Sequence, residues 1–162
     1  LYTAALAEFR TKLAEAQALE TSARLAENAV LAGRWGEGLE LAKTTLNRVE
    51  CLGGLAVLRA LLLRQIGSAL MGLNQPDIAQ QRLQESLRAA RSAGADYEVA
   101  LTLRADARLA ELLGHMWAPD LLAQAGSILT GLGVIEVAEP PVVLTAAPAV
   151  PAGPATAPVP AG

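Results

Sequence analysis

The sequence predicts an all-α domain of stacked antiparallel helical hairpins, an α-solenoid, followed by a disordered Pro/Ala-rich C-terminal tail. Three observations lead there. Hydrophobic residues make up 52% of the 162 positions, mostly Ala and Leu, while aromatics make up only 3%. Ala and Leu favour helices, and the residue types that favour strands are scarce. Apolar residues recur at helical spacing between turn signals. The pattern also repeats at a period of 41 and then 40 residues, read from Ala26, Gly67 and Ala107.

Six helices are expected. The first covers Tyr2 to Leu31, with a break near Thr21 and Ser22, and stops at Gly33. The second covers Glu37 to Val49 and ends before Gly53 and Gly54. A third runs from Leu55 to Leu73. The turn Asn74-Gln75-Pro76-Asp77 follows, because Asn tolerates left-handed geometry and Pro suits the first turn of a new helix. The fourth runs from Asp77 to Ser92, with Ile78, Ala79, Leu83 and Leu87 on one stripe and Gln80, Gln84, Arg88 and Arg91 facing elsewhere. Asp96 is expected to cap a fifth helix that reaches Leu113 and ends at Gly114. Its stripe is Val99, Leu103, Ala107 and Ala110. Pro119 opens a sixth, which reaches about Leu132, before Gly133.

The helices pair, and the pairs recur. Seven residues after Ala26, Gly67 and Ala107 stand Gly33, Asn74 and Gly114, each able to end a helix with positive φ. Leu46 and Leu87 hold equal places in the second helices of the first two pairs. In the third pair Ser127 takes that place and Leu129 comes two residues later. A hairpin that cannot bury both its faces is covered by the next hairpin, so a period near 40 residues reads as stacking.

At this point a resemblance emerges. Ile66-Gly67-Ser68-Ala69-Leu70, then Leu73 to Ala79, then Leu83 and Leu87, resembles one tetratricopeptide repeat. Gly67 and Ala79 match that family's small residues in the first and second helix. The first pair keeps Leu25, Ala26 and Ala32-Gly33-Arg34-Trp35, but Gly38 replaces the family's alanine. In the third pair Pro119 replaces it. The packing positions of the repeat are therefore Ala26, Gly33, Gly67, Ala79, Leu83 and Ala107. Residues 85–103, and Leu132-Gly133-Val134-Ile135 before Glu139-Pro140-Pro141, are similar to the C-terminal repeat region of large actinobacterial signalling proteins. That resemblance implies a parent carrying an ATP-binding ATPase module, and a nucleotide-cyclase or DNA-binding module, upstream.

Residues 1–135 form the expected helical-repeat domain and residues 136–162 the expected tail. From Pro140 onward the chain holds seven of its nine prolines and no charged residue, so neither helix nor sheet propagates there. The chain starts at Leu1 with no leader pattern, and reads as a piece of a larger protein. A cytoplasmic setting is expected from the single cysteine, Cys51, which permits no internal disulfide. The longest uncharged run in the body, Leu121 to Ile135, is shorter than a membrane span and holds Gln124, Ser127 and Thr130. Net charge is −3, with 13 basic and 16 acidic residues dispersed, unlike a nucleic-acid binder.

Catalytic chemistry is not expected. The only lysines, Lys12 and Lys43, follow no glycine-rich phosphate loop. His115 is the sole histidine and lies 64 residues from Cys51, so no metal-ligand spacing exists and no cofactor is expected. Cys51 is expected to pack as a small apolar residue, and Trp35 and Trp117 to pack in inter-helix turns. In the family this chain resembles, the first helix of each pair lines a groove. By register, the groove positions are Arg64, Ser68, Met71, Arg104, Arg108 and Glu111. Three arginines against one acid favour an acidic protein segment, from a partner or from the same polypeptide. Ala23 and Glu27, at the matching places of the first pair, lack the groups that clamp a peptide carboxylate in some family members. The expected function is a non-catalytic protein-interaction or spacer module of a signalling protein. The alternative is the regulatory end of a multidomain ATPase or adenylate/guanylate cyclase.

Overall fold

The computed structural model describes residues 2–141. The expectation of disorder for residues 142–162 lies outside the described residues. Among those described there are six α-helices and no strand: α1 (Tyr2–Leu31), α2 (Trp35–Leu52), α3 (Ala56–Gly72), α4 (Pro76–Ser92), α5 (Asp96–Leu112) and α6 (Ala118–Gly131).

Five of the six described helix ends share one device. Gly33, Asn74, Gly94, Gly114 and Gly133 all have φ between 59° and 73°. In each case the following amide reaches back to the last turn: Arg34 to Ala29, Gln75 to Leu70, Ala95 to Ala90, His115 to Ala110 and Val134 to Leu129, at 2.8–3.0 Å. These bonds satisfy carbonyls that the helix leaves open. The N-termini differ from expectation. Asp96 is the first residue of α5 and not its cap; Ala95 holds the cap position without a side-chain bond. As a first-turn acid, Asp96 still complements the helix dipole. The break expected at Thr21 and Ser22 is absent. Their hydroxyls bond back to the carbonyls of Gln17 and Ala18 at 3.0 Å, which lets α1 continue through them.

Each helix packs on the next, and α3 also packs on both α1 and α5. Helix α3 is accordingly buried without interruption from Ala60 to Leu70. The closest approaches occur where side chains are smallest. A Cβ on Gly67 would lie 2.7 Å from Leu83 Cγ, and one on Gly38 would lie 2.6 Å from Val30 Cγ2. Gly67 faces Ala79 and Leu83, while Ser86 Oγ donates to the Ala60 carbonyl at 2.8 Å, so α3 and α4 run antiparallel. Ala26, Ala79, Leu83 and Ala107 are fully buried.

The loose register of the third pair has a local cause. Nine residues separate Ala26 from Trp35 and Gly67 from Pro76, the first residues of α2 and α4. Eleven separate Ala107 from Ala118, the first residue of α6. The turn holds two extra residues, and Leu129 moves by the same two. Within that turn His115 stacks on Trp117 at 4.1 Å between ring centroids. Trp117 is about half exposed, whereas Trp35 is packed against the core and lies on Gly72. Cys51 is exposed on the last turn of α2, contrary to the expectation that it packs.

Candidate functional site

The side chains that carry charge into the interior meet on the face shared by α1, α3 and α5. Arg64, on α3, is only 8% exposed. Its Nε donates to Glu98 Oε2 of α5 at 3.1 Å, and its Nη2 to Glu27 Oε1 of α1 at 3.0 Å. Gln65 Nε2 donates to the same Glu27 oxygen at 3.0 Å, and Arg24 Nη1 to Glu27 Oε2 at 2.9 Å. Two arginines and two glutamates thus balance in charge across three helices. Burial acts to raise the Glu27 pKa, but Arg64 and Arg24 overcome it, and the carboxyl is held below its ordinary value. Among the described residues, no buried side-chain nitrogen or oxygen lacks a partner.

Farther along α5 stand Arg104 and Arg108, one helical turn apart and so on one face. Both point at the chain that follows α6. Arg104 Nε donates to Glu139 Oε1 at 2.7 Å, and its Nη2 contacts the same oxygen. Arg108 Nη1 lies 3.7 Å from Glu139 Oε2, and its Nη2 donates to the carbonyl of Pro140. Residues 134–141 therefore lie back on the helical body. Val134 and Val137 pack against the core cluster that includes Val99, Leu103 and Leu129, and Pro141 Cγ lies close to Gly33, in the turn after α1. Residues 136–141 were expected to be the start of the disordered tail. The apolar and charged contacts they make with the helices place them on the body instead.

Between this strap and the helices is a cavity of about 210 Å³. Of the six groove positions read from the sequence, Arg64, Ser68, Met71, Arg104 and Arg108 line it. Glu111 does not, and is exposed. Arg64 and Ser68 are buried; the cations that line the cavity with some exposure are Arg24, which pairs with Glu27, and Arg104 and Arg108, which face Glu139. Sequence reasoning missed the roles of Arg24, Gln65, Glu98 and Glu139. Glu98 sits in the first turn of α5, where an acid is ordinary, and its sequence position carries no sign that it faces inward.

Among the described residues no group of three His, Cys, Asp or Glu side chains is placed to hold a metal ion. Among the described residues no helix is long and apolar enough to cross a membrane. Comparison with protein-family models, curated proteins and solved structures finds no match to this chain.

Proposed function

We propose that this chain is a non-catalytic protein-interaction module. It is a stack of three tetratricopeptide-like helical hairpins whose α1, α3 and α5 form a groove for an extended acidic segment. The arrangement of α3 between α1 and α5 supports the stacking, since the first helices of the three pairs then make one continuous layer. One observation carries the functional reading. Arg104 and Arg108 are aimed together at a single carboxylate on an extended, non-helical piece of chain. Two guanidinium groups converging on one carboxylate give charge-assisted, directional recognition.

The test is a titration of the full chain with a fluorescent peptide of alternating glutamate and proline. The wild type binds it, and more weakly as salt rises. The variant Arg104→Ala/Arg108→Ala loses about tenfold or more in affinity. A wild type that binds no acidic peptide, or a double variant that binds as well as the wild type, removes the reading.

A further inference from the structure

The strap of residues 134–141 is more than a chain end resting on the surface. Glu139 precedes Pro140, and Pro140 precedes Pro141. A residue before proline is restricted to extended backbone, so the strap is held straight at Glu139 and Pro140. It runs from the end of α6, over the arginines of α5, to the turn after α1. It thus crosses the layer of first helices from the last pair to the first. Its contacts are concentrated in Val137 and in the run Glu139, Pro140 and Pro141. Val137 packs against the core cluster that holds Leu103 and Leu129, Glu139 takes the two arginines, the Pro140 carbonyl accepts from Arg108, and Pro141 meets Gly33. The intervening Ala138 is exposed. That is how an extended ligand is read by a groove.

The strap is also weakly held. Among the described residues, no backbone-to-backbone hydrogen bond ties residues 135–141 to the helices. Ile135 is fully exposed, and the Glu139 side chain remains 36% exposed. The strap leaves the 210 Å³ cavity beneath it unfilled. A segment with few buried contacts opens at low cost. Its short tether to α6 nonetheless keeps its local concentration on the order of millimolar.

From these observations we infer that residues 134–141 are an intramolecular stand-in for the groove's ligand. The true partner is an extended protein segment with an apolar residue, any residue, a glutamate and a proline in succession, which binds by displacing the strap. The inference rests on the interaction-module reading above and adds the ligand pattern and its competition.

The probe is a labelled peptide with the sequence of residues 134–141, titrated by anisotropy against three full-length chains. Glu139→Lys places a cation against Arg104 and Arg108 and so drives the strap off. This variant binds the peptide about tenfold or more tighter than the wild type. Arg104→Ala/Arg108→Ala binds it no better than the wild type, and a peptide with glutamine in place of Glu139 loses affinity for Glu139→Lys. Circular dichroism melts of Glu139→Lys verify that its helices remain. Equal binding to the wild type and Glu139→Lys overturns the competition, while arginine-dependent binding in that same experiment leaves the interaction-module reading standing. Failure of Glu139→Lys to bind the peptide, when it still binds the alternating glutamate–proline peptide, overturns the ligand pattern alone. Failure to bind either peptide overturns both.

Discussion

Arg64 shows how one residue changes meaning between sequence and structure. A basic side chain on the groove stripe reads as a partner-binding cation. In the fold it is enclosed by Glu27 and Glu98, and its removal would leave two carboxylates facing each other in a buried place. Arg64→Ala is therefore expected to cost about 3–5 kcal/mol in a urea melt, the scale for breaking a buried ion pair. Glu27 supplies the matching pH signature. Its pKa in the fold lies below its ordinary value of 4.5. The stabilisation is then complete above pH 4.5 and is lost as pH falls through the lower folded value. The stability gap between the wild type and Glu27→Gln should therefore shrink on acidification below about pH 4.5. A gap that stays constant in melts from pH 7 to pH 3 (about that range) contradicts the depressed pKa.

Between elements, the spacing of helices is set by what is missing from their facing surfaces. Gly67 admits Leu83 of α4 so closely that even one methyl group collides. Gly67→Ala should thus destabilise by about 1–3 kcal/mol as an overpacked site, although alanine is the better helix former. Leu83→Ala should cost about 2–5 kcal/mol, because Leu83 is fully buried. The double variant should cost less than the sum, since the cavity left by Leu83 receives the new methyl. Strict additivity in urea melts of the four proteins would show that the two sites do not touch. The length of α1 matters in another way. It has 30 residues against 18 in α2. Leu6, Phe9 and Leu13 are 49%, 63% and 48% exposed, whereas Leu19, Ala23 and Ala26 are buried. Amide exchange should accordingly be fast before Leu13 and slow after Leu19. Uniform protection along α1 in a hydrogen-exchange experiment would contradict this division.

For the whole molecule, two charged clusters of different exposure share one face. The Glu27–Arg64–Glu98 cluster is largely enclosed, with Arg24 reaching Glu27 from the exposed side, and it links α1, α3 and α5. The Arg104–Arg108–Glu139 cluster is partly exposed and joins helices to strap. Partly exposed ion pairs contribute little to folding, so Glu139→Ala should change the unfolding free energy by only about 0–1 kcal/mol. On the proposed function, its main consequence is access to the groove. A larger loss in thermal or urea unfolding would mean that the strap is part of the folding core.

The sequence by itself determined the helices and their ends, because both follow from local rules. Apolar stripes at helical spacing mark the elements, and glycine or asparagine at positive φ closes them. The helix bounds were legible to within about three residues, although the break expected inside α1 is absent. The small residues Ala26, Gly67, Ala79 and Ala107 were legible for the same reason, as departures from a repeating apolar pattern. Tertiary structure alone decided which arginine is enclosed and which is offered. Arg64 and Arg104 occupy like positions 40 residues apart, at equal distance before Gly67 and Ala107. They differ because Glu27 and Glu98 reach one from neighbouring helices, while the other meets Glu139 on a returning chain. Those partners are 34, 37 and 35 residues away in sequence. Local rules end at the hydrogen-bonded turn, whereas an ion pair forms wherever packing brings two charges together.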